Sequence, residues 1–129
     1  MTSRKWLGLP LLLFSIVISG DVQATDSDVL RGERIFRLQC SGCHSIQPEQ
    51  HVAGPSLHGV LGRRVGKLPG FDFSPILQEA DFVWTPENLD RFLSDPSAML
   101  PGTRMVFWGL APQPREQVIG YLQKIAEED

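Results

Sequence analysis

One short stretch decides how the chain is interpreted: Cys40-Ser41-Gly42-Cys43-His44. It matches C-x-x-C-H, the pattern through which a haem is attached by two thioether bonds. Two thiols three residues apart on a helical turn can reach neighbouring edges of one porphyrin, and the next residue then presents an imidazole to the iron. The stretch predicts that Cys40 and Cys43 bind one haem c covalently and that His44 ligates its iron.

Two other chemistries use closely spaced cysteines. Thiol–disulfide oxidoreductases carry C-x-x-C in a βαβ context. Structural zinc sites take four ligands, usually from two such pairs. The chain has two cysteines in all, no sustained strand alternation and no H-x-x-x-H pair, so both alternatives lack the context that they need. A colourless protein with titratable thiols would favour the oxidoreductase.

The first 24 residues are typical of an export signal. Arg4 and Lys5 precede an apolar run of about 14 residues, which is shorter than the roughly 20 residues that a membrane-spanning helix needs. Val22-Gln23-Ala24 then places small residues where signal peptidase prefers them. We predict a signal peptide over 1–24 and a mature periplasmic domain over 25–129. An uncleaved membrane anchor is the alternative, and it alone would bring the protein to a membrane.

The mature chain is acidic. Without residues 1–24 it keeps 10 basic and 14 acidic residues, a net charge of −4 before any cofactor is counted. Nucleic-acid binding requires a basic surface, so we expect no such partner. The length fits one domain, and we expect a monomer. Lys67 and Lys124 are the only lysines that remain.

Helix patterns occur in four places, over 28–40, 74–79, 85–94 and 113–127. Ser27 is expected to cap the first helix and Thr85 the third, with Pro96 ending the third. Gly32 is a poor helix former, so its position suggests that another helix crosses closely there. Together with the long loops between them, these patterns predict an all-α fold of about four helices wrapped around one haem.

The sixth position of the iron has four candidates: Met99, Met105, His51 and His58. A Met thioether opposite His raises the reduction potential and suits electron transfer. Met105 follows the rigid turn Pro101–Arg104, which can hold a thioether in place. Met99 fits packing better, and the two histidines fit surface or hydrogen-bonding roles.

These residues are part of a wider pattern that resembles the class I c-type cytochromes, the group that contains mitochondrial cytochrome c and its bacterial relatives. The matching segments occur in order over nearly the whole mature chain. They are Gly32–Phe36, Cys40–His44, Gly54–Arg63, Pro69–Phe71, Trp84, Asn88–Leu89, Pro101–Phe107 and Ile119–Leu122.

The resemblance implies a role for each matched position. His44 would be the proximal and Met105 the distal iron ligand. The Pro55 carbonyl would accept a hydrogen bond from His44, and Arg63 with the Trp84 indole would bind a haem propionate.

It also implies that Thr103 supports the methionine loop. Gly32 and Phe36 would pack against Val118 and Tyr121, where the first and last helices cross.

The function that the resemblance implies is one-electron transfer between periplasmic redox proteins, without catalysis. The alternative is an electron-accepting subunit fixed to a dehydrogenase or reductase. An enzyme or sensor with an open haem position is a further alternative, against which Met105 argues. Because lysines are scarce, we expect docking through a small apolar patch that includes Trp108, unless Trp108 is a semi-buried packing residue.

Overall fold

The structure, a computed structural model, describes residues 25–128. The predicted signal peptide and its cleavage site lie outside the described residues. The elements are α1 (Asp26–Ile35), a π turn (Phe36–Cys40), α2 (Pro75–Glu79), α3 (Pro86–Ser94), α4 (Pro96–Met99) and α5 (Pro112–Glu127). The described part of the chain contains helices and two isolated β-bridges but no strand. The all-α fold class is confirmed, with five α-helices rather than about four.

The first helix begins two residues earlier than predicted. Thr25, not Ser27, is the N-cap, and its Oγ1 accepts a hydrogen bond from the Asp28 backbone N–H at 3.3 Å. At the other end the helix widens into the π turn, in which the Ser41 N–H donates to the Phe36 carbonyl at 2.9 Å. A prediction that assumed the 3.6 residues per turn of an α-helix could not detect this hydrogen bond, which joins residues five apart, as in a π-helix.

The close crossing predicted at Gly32 is confirmed. A Cβ at this position would lie 2.7 Å from the Gln117 carbonyl carbon and 2.8 Å from the Tyr121 Cβ. Four residues further on, at the start of the π turn, the ring of Phe36 packs against that of Tyr121 with centroids 5.8 Å apart. The absence of a side chain at Gly32 therefore lets α1 and α5 approach backbone to backbone.

Helix α3 has the predicted cap but a different continuation. Thr85 Oγ1 accepts from the Asn88 N–H at 3.1 Å, and Pro86 occupies the first helical position. Pro96 does end α3, but it also starts α4, because Asp95 Oδ1 accepts from the Ala98 N–H at 3.0 Å. A proline suits the first turn of a helix as well as a helix stop.

Helix α5 begins one residue before the predicted position, at Pro112. With 16 residues, it is the longest helix in the described part of the chain. Within residues 25–128, no helix combines the length and the apolar character needed to cross a bilayer. The buried core lies between α1, α3 and α5 and extends under the 53–70 loop, from which Val60 and Val65 enter it.

Candidate functional site

The elements surround one cavity of about 430 Å³. The seven residues that the sequence singled out all line it: Cys40, Cys43, His44, Pro55, Arg63, Trp84 and Met105. They come from the π turn, the long connection that follows it, the end of the segment before α3 and the loop between α4 and α5. Most of the remaining lining is apolar and includes Phe36, Leu57 and Phe92. Folding thus gathers a set of polar and sulfur-containing groups around an apolar space.

The two thiols lie on one side of this cavity. Cys40 ends the π turn and is half-buried, Cys43 is exposed, and neither is in a disulfide. Burial, with a smaller effect of the charge of Cys43, raises the pKa of the Cys40 thiol to about 11. A thiol–disulfide redox centre requires a thiol that ionises readily. The environment of Cys40 does the opposite, which argues against the oxidoreductase alternative.

The zinc alternative also finds no support. Among residues 25–128, no group of three or more histidine, cysteine or acidic side chains is placed to hold a metal ion. A structural zinc site would need four such ligands. The donors around the cavity are instead two thiols, one imidazole and one thioether.

The imidazole of His44 is held in one tautomer. Its Nδ1 lies 2.8 Å from the carbonyl oxygen of Pro55. A carbonyl can only accept a hydrogen bond, so Nδ1 carries the proton and Nε2 keeps its lone pair for a metal. Burial lowers the pKa of His44, while the bond to Pro55 acts in the opposite direction. The environment therefore favours the neutral ring, which is the form that ligates iron.

Gly54 packs against the same imidazole, a contact that sequence reasoning missed. A Cβ at position 54 would lie 2.6 Å from Nδ1 and 2.8 Å from Nε2 of His44. Any side chain there would displace the ring or the backbone. The Gly-Pro pair was visible in the sequence, but the contact joins residues ten apart, and nothing in the local pattern indicates it.

Met105 reaches the cavity from a loop between α4 and α5. Its backbone N–H donates to Thr103 Oγ1 at 3.3 Å, and the Thr103 N–H donates to the Leu100 carbonyl at 3.0 Å. Arg104 ties the same loop to Phe73, another residue that lines the cavity, since its guanidinium donates to the Phe73 carbonyl at 2.8 Å. The part played by Arg104 was not predicted.

The other candidates for the sixth position do not line the cavity. His51 uses both ring nitrogens elsewhere: Nδ1 accepts from the Ser56 N–H at 3.0 Å, and Nε2 faces the Pro69 carbonyl at 3.3 Å. Met99 is partly buried and packs against the core. Of the four candidates, only Met105 lines this cavity.

Arg63 and Trp84 meet at another wall of the cavity. The Arg63 guanidinium donates to the Ser56 carbonyl at 2.9 Å and also to the His58 carbonyl. The backbone N–H of Trp84 donates to the Arg63 carbonyl at 2.9 Å, so the two backbones are joined. Burial lowers the pKa of Arg63, but arginine stays charged in proteins. A fixed cation beside an apolar cavity is a suitable site for a carboxylate.

These groups fit a haem c. Haem iron takes a proximal histidine and a methionine as axial ligands in cytochromes of this type. The two unpaired thiols supply the attachment points, the apolar lining suits the porphyrin faces, and Arg63 suits a propionate. None of these side chains is chemically incompatible with a bound haem c.

Comparisons with known proteins give consistent results, although no protein-family model matches the chain. The chain is 37% identical over 100 residues to "Cytochrome c type-1" of Ascaris suum, covering 77% of this chain and 89% of that protein. It is 36% identical over 104 residues to the cytochrome c of Sesamum indicum, covering 79% of this chain and 94% of that protein. It is 39% identical over 97 residues to the cytochrome c2 of Rhodomicrobium vannielii, covering 74% of this chain and 77% of that protein.

Proposed function

This chain belongs to the class I cytochrome c family, and from that premise we propose that it carries single electrons between redox proteins of the periplasm. Members of the family are electron carriers with one covalently attached haem c, and this chain carries one as well. The haem supplies one-electron chemistry by changing between its ferrous and ferric states.

We assign the attachment of that haem to Cys40 and Cys43 and its axial ligation to His44 and Met105. The observation that supports this assignment is that all four side chains line one apolar cavity. The bond from His44 to Pro55, at 2.8 Å, keeps the imidazole in the ligating tautomer. If His44 and Met105 both ligate the iron, no position would remain for a substrate, so we expect no peroxidase activity and no gas binding.

The remaining groups hold the haem and exclude water. Arg63 and Trp84 bind a propionate, which places the charged end of the haem beside a fixed cation. Thr103 and Arg104 hold the loop that carries Met105. The apolar lining keeps water from the iron, so that the ligands stay the same in both oxidation states.

We also propose that residues 1–24 are removed on export and that the mature chain is a monomer in the periplasm. Mass spectrometry of the exported protein tests the first point, because a peptide containing Lys5 would contradict cleavage. The alternative is a subunit fixed permanently to a dehydrogenase or reductase. Purification from native cells separates the two, since a fixed subunit would co-purify in constant ratio.

Optical spectroscopy of the protein with its haem attached tests the ligand assignment. The ferric protein should show the far-red charge-transfer band of methionine-ligated haem. Met105→Ala should lose that band, and Met99→Ala, which removes a methionine from outside the cavity lining, should keep it. A five-coordinate resting spectrum in the unmodified protein, or a band that survives in Met105→Ala, would overturn the assignment.

A further inference from the structure

The segment from Met105 to Trp108 alternates between partly buried and exposed side chains. Met105 and Phe107 are partly buried and line the cavity, whereas Val106, which also borders the cavity, is 93% exposed and Trp108 is 96% exposed. These two exposed apolar side chains, Val106 in the cavity lining and Trp108 next to the lining residue Phe107, are here called the 106/108 edge. The sequence-based alternative, in which Trp108 is a semi-buried packing residue, is wrong.

This edge is held in place at both ends. Before it, Arg104 donates to the Phe73 carbonyl at 2.8 Å. After it, the Leu110 N–H donates to the Leu93 carbonyl at 2.9 Å, and Gly109, with φ of 88°, lies against the backbone at Ser94. The backbone of such a segment is fixed before a partner arrives, which reduces the entropy lost on binding.

The mouth of the cavity carries little unbalanced charge. Its charged lining residues are Arg63, Arg104 and Asp72. Arg104 and Asp72 form an ion pair with N–O 3.3 Å, and Arg63 is partly buried with its guanidinium on backbone carbonyls. No lysine lines the cavity. An acidic partner surface would find no ring of cations here.

We propose that the 106/108 edge is the docking face of this carrier and that its occupant is a redox protein with an apolar, weakly charged docking face. The proposal rests on the proposed function, because the edge borders the cavity assigned to the haem. Exposed apolar groups beside a functional site mark protein interaction surfaces. Tryptophan is among the residues that dominate such interfaces, and complementarity requires an apolar face opposite it.

A second copy of the chain in the opposite oxidation state is a suitable probe, because it presents the same apolar edge. When two edges meet, one electron leaves the ferrous copy, which becomes ferric, and the ferric copy becomes ferrous. No bond forms or breaks and no proton moves. The rate of this self-exchange is measured from NMR line broadening in mixtures of the two forms.

Trp108→Ala should slow self-exchange by about tenfold, with an unchanged haem spectrum and reduction potential. Leu38→Ala is the matched control. Leu38 is likewise an exposed apolar residue, with 75% of its surface accessible, but it does not line the cavity. It should leave self-exchange unchanged. Oxidation by hexacyanoferrate(III), a small ion that needs no docking face, should be the same in both variants and in the unmodified protein.

Three results would overturn the proposal: unchanged self-exchange in Trp108→Ala, an equal loss in Leu38→Ala, or an equal loss in the reaction with hexacyanoferrate(III). Salt provides a second measurement. Two acidic copies repel each other, so self-exchange should rise modestly with ionic strength, and a steep fall would indicate docking by opposite charges. Failure of the proposed function itself would be visible separately, as a protein without the haem spectrum.

Discussion

The Nδ1 atom of His44 lies 2.8 Å from the carbonyl oxygen of Pro55. The residue before Pro55, Gly54, packs its backbone against the same ring. Two consecutive residues therefore fix the imidazole, one through a hydrogen bond and the other through close contact. Neither uses a side-chain functional group, so the orientation of the proposed iron ligand depends on the backbone path of this loop.

Gly54→Ala should disturb this arrangement. The added Cβ would lie 2.6 Å from His44 Nδ1, so the ring or the loop must move. Overpacking of this kind destabilises a protein by about 1–3 kcal/mol. We expect a lower free energy of unfolding, measured by denaturant titration, and a weakened far-red band of the ferric protein.

Gly42→Ala is the matched control for this change. It lies within the haem-attachment motif, but a Cβ there would meet no atom within 4 Å. Its stability and spectrum should be close to those of the unmodified protein. Equal effects of the two substitutions would contradict the importance of the contact between Gly54 and His44.

Local chemistry accounts for what the sequence predicted correctly. The cap of α3 depends on Thr85 and Pro86 alone, and both act within one helical turn. Gly32 was informative because a glycine inside an amphipathic helix conflicts with helix propensity. Such a conflict has to be explained by packing, and the crossing with α5 provides the explanation.

The features that were missed are of two kinds. The π turn and α4 were missed because one pattern permits two structures: a helix period does not distinguish α from π, and Pro96 suits both a helix stop and a helix start. The bond from Arg104 to the Phe73 carbonyl was missed because it joins residues 31 apart. No local pattern encodes a contact of that range.

Gly32→Ala is a test in which helix propensity and helix packing predict opposite changes in the stability of the protein. Helix propensity alone predicts that alanine stabilises α1 by up to about 1 kcal/mol. The crossing predicts the reverse, because the new Cβ would lie 2.8 Å from the Tyr121 Cβ, and overpacking costs about 1–3 kcal/mol. We expect net destabilisation in denaturant titration. A more stable variant would show that the helices can separate without penalty.

Arg104→Ala should loosen the loop that carries Met105. The bond from the guanidinium to the Phe73 carbonyl is 2.8 Å long, and hydrogen bonds from charged groups contribute about 1.5–3 kcal/mol. Opening of the loop should then become about tenfold more frequent or more. The measurement is the rate at which cyanide binds the ferric protein, since with Met105 as the proposed sixth ligand cyanide would have to displace its thioether.

Arg64→Ala is the control for that experiment. Both arginine side chains are 60% exposed and both form an ion pair with an aspartate. Arg64 does not line the cavity, so its removal should leave the rate of cyanide binding unchanged. A similar acceleration in both variants would point to general destabilisation and against a specific role of Arg104.

Asp28 should make the contact between α1 and α5 sensitive to acid. Its carboxylate accepts hydrogen bonds from the Thr25 hydroxyl at 2.7 Å and from the Gln117 amide at 3.0 Å, and these lower its pKa in the folded protein. A carboxyl whose pKa is lower in the folded state stabilises the fold above its unfolded pKa and loses that contribution as the pH falls through the folded value.

Thermal unfolding of the protein and of Asp28→Asn therefore should differ most above about pH 5, with the unmodified protein more stable. The difference in Tm should shrink as the pH falls below about 4, because the carboxylate takes up a proton and loses its advantage over the amide. Asp26→Asn, in the same turn of α1, serves as the control for the loss of one negative charge at the helix N-terminus. If the difference for Asp28→Asn stayed constant from neutral to acid pH, or matched that for Asp26→Asn, the bonds to Thr25 and Gln117 would not be the source of this stability.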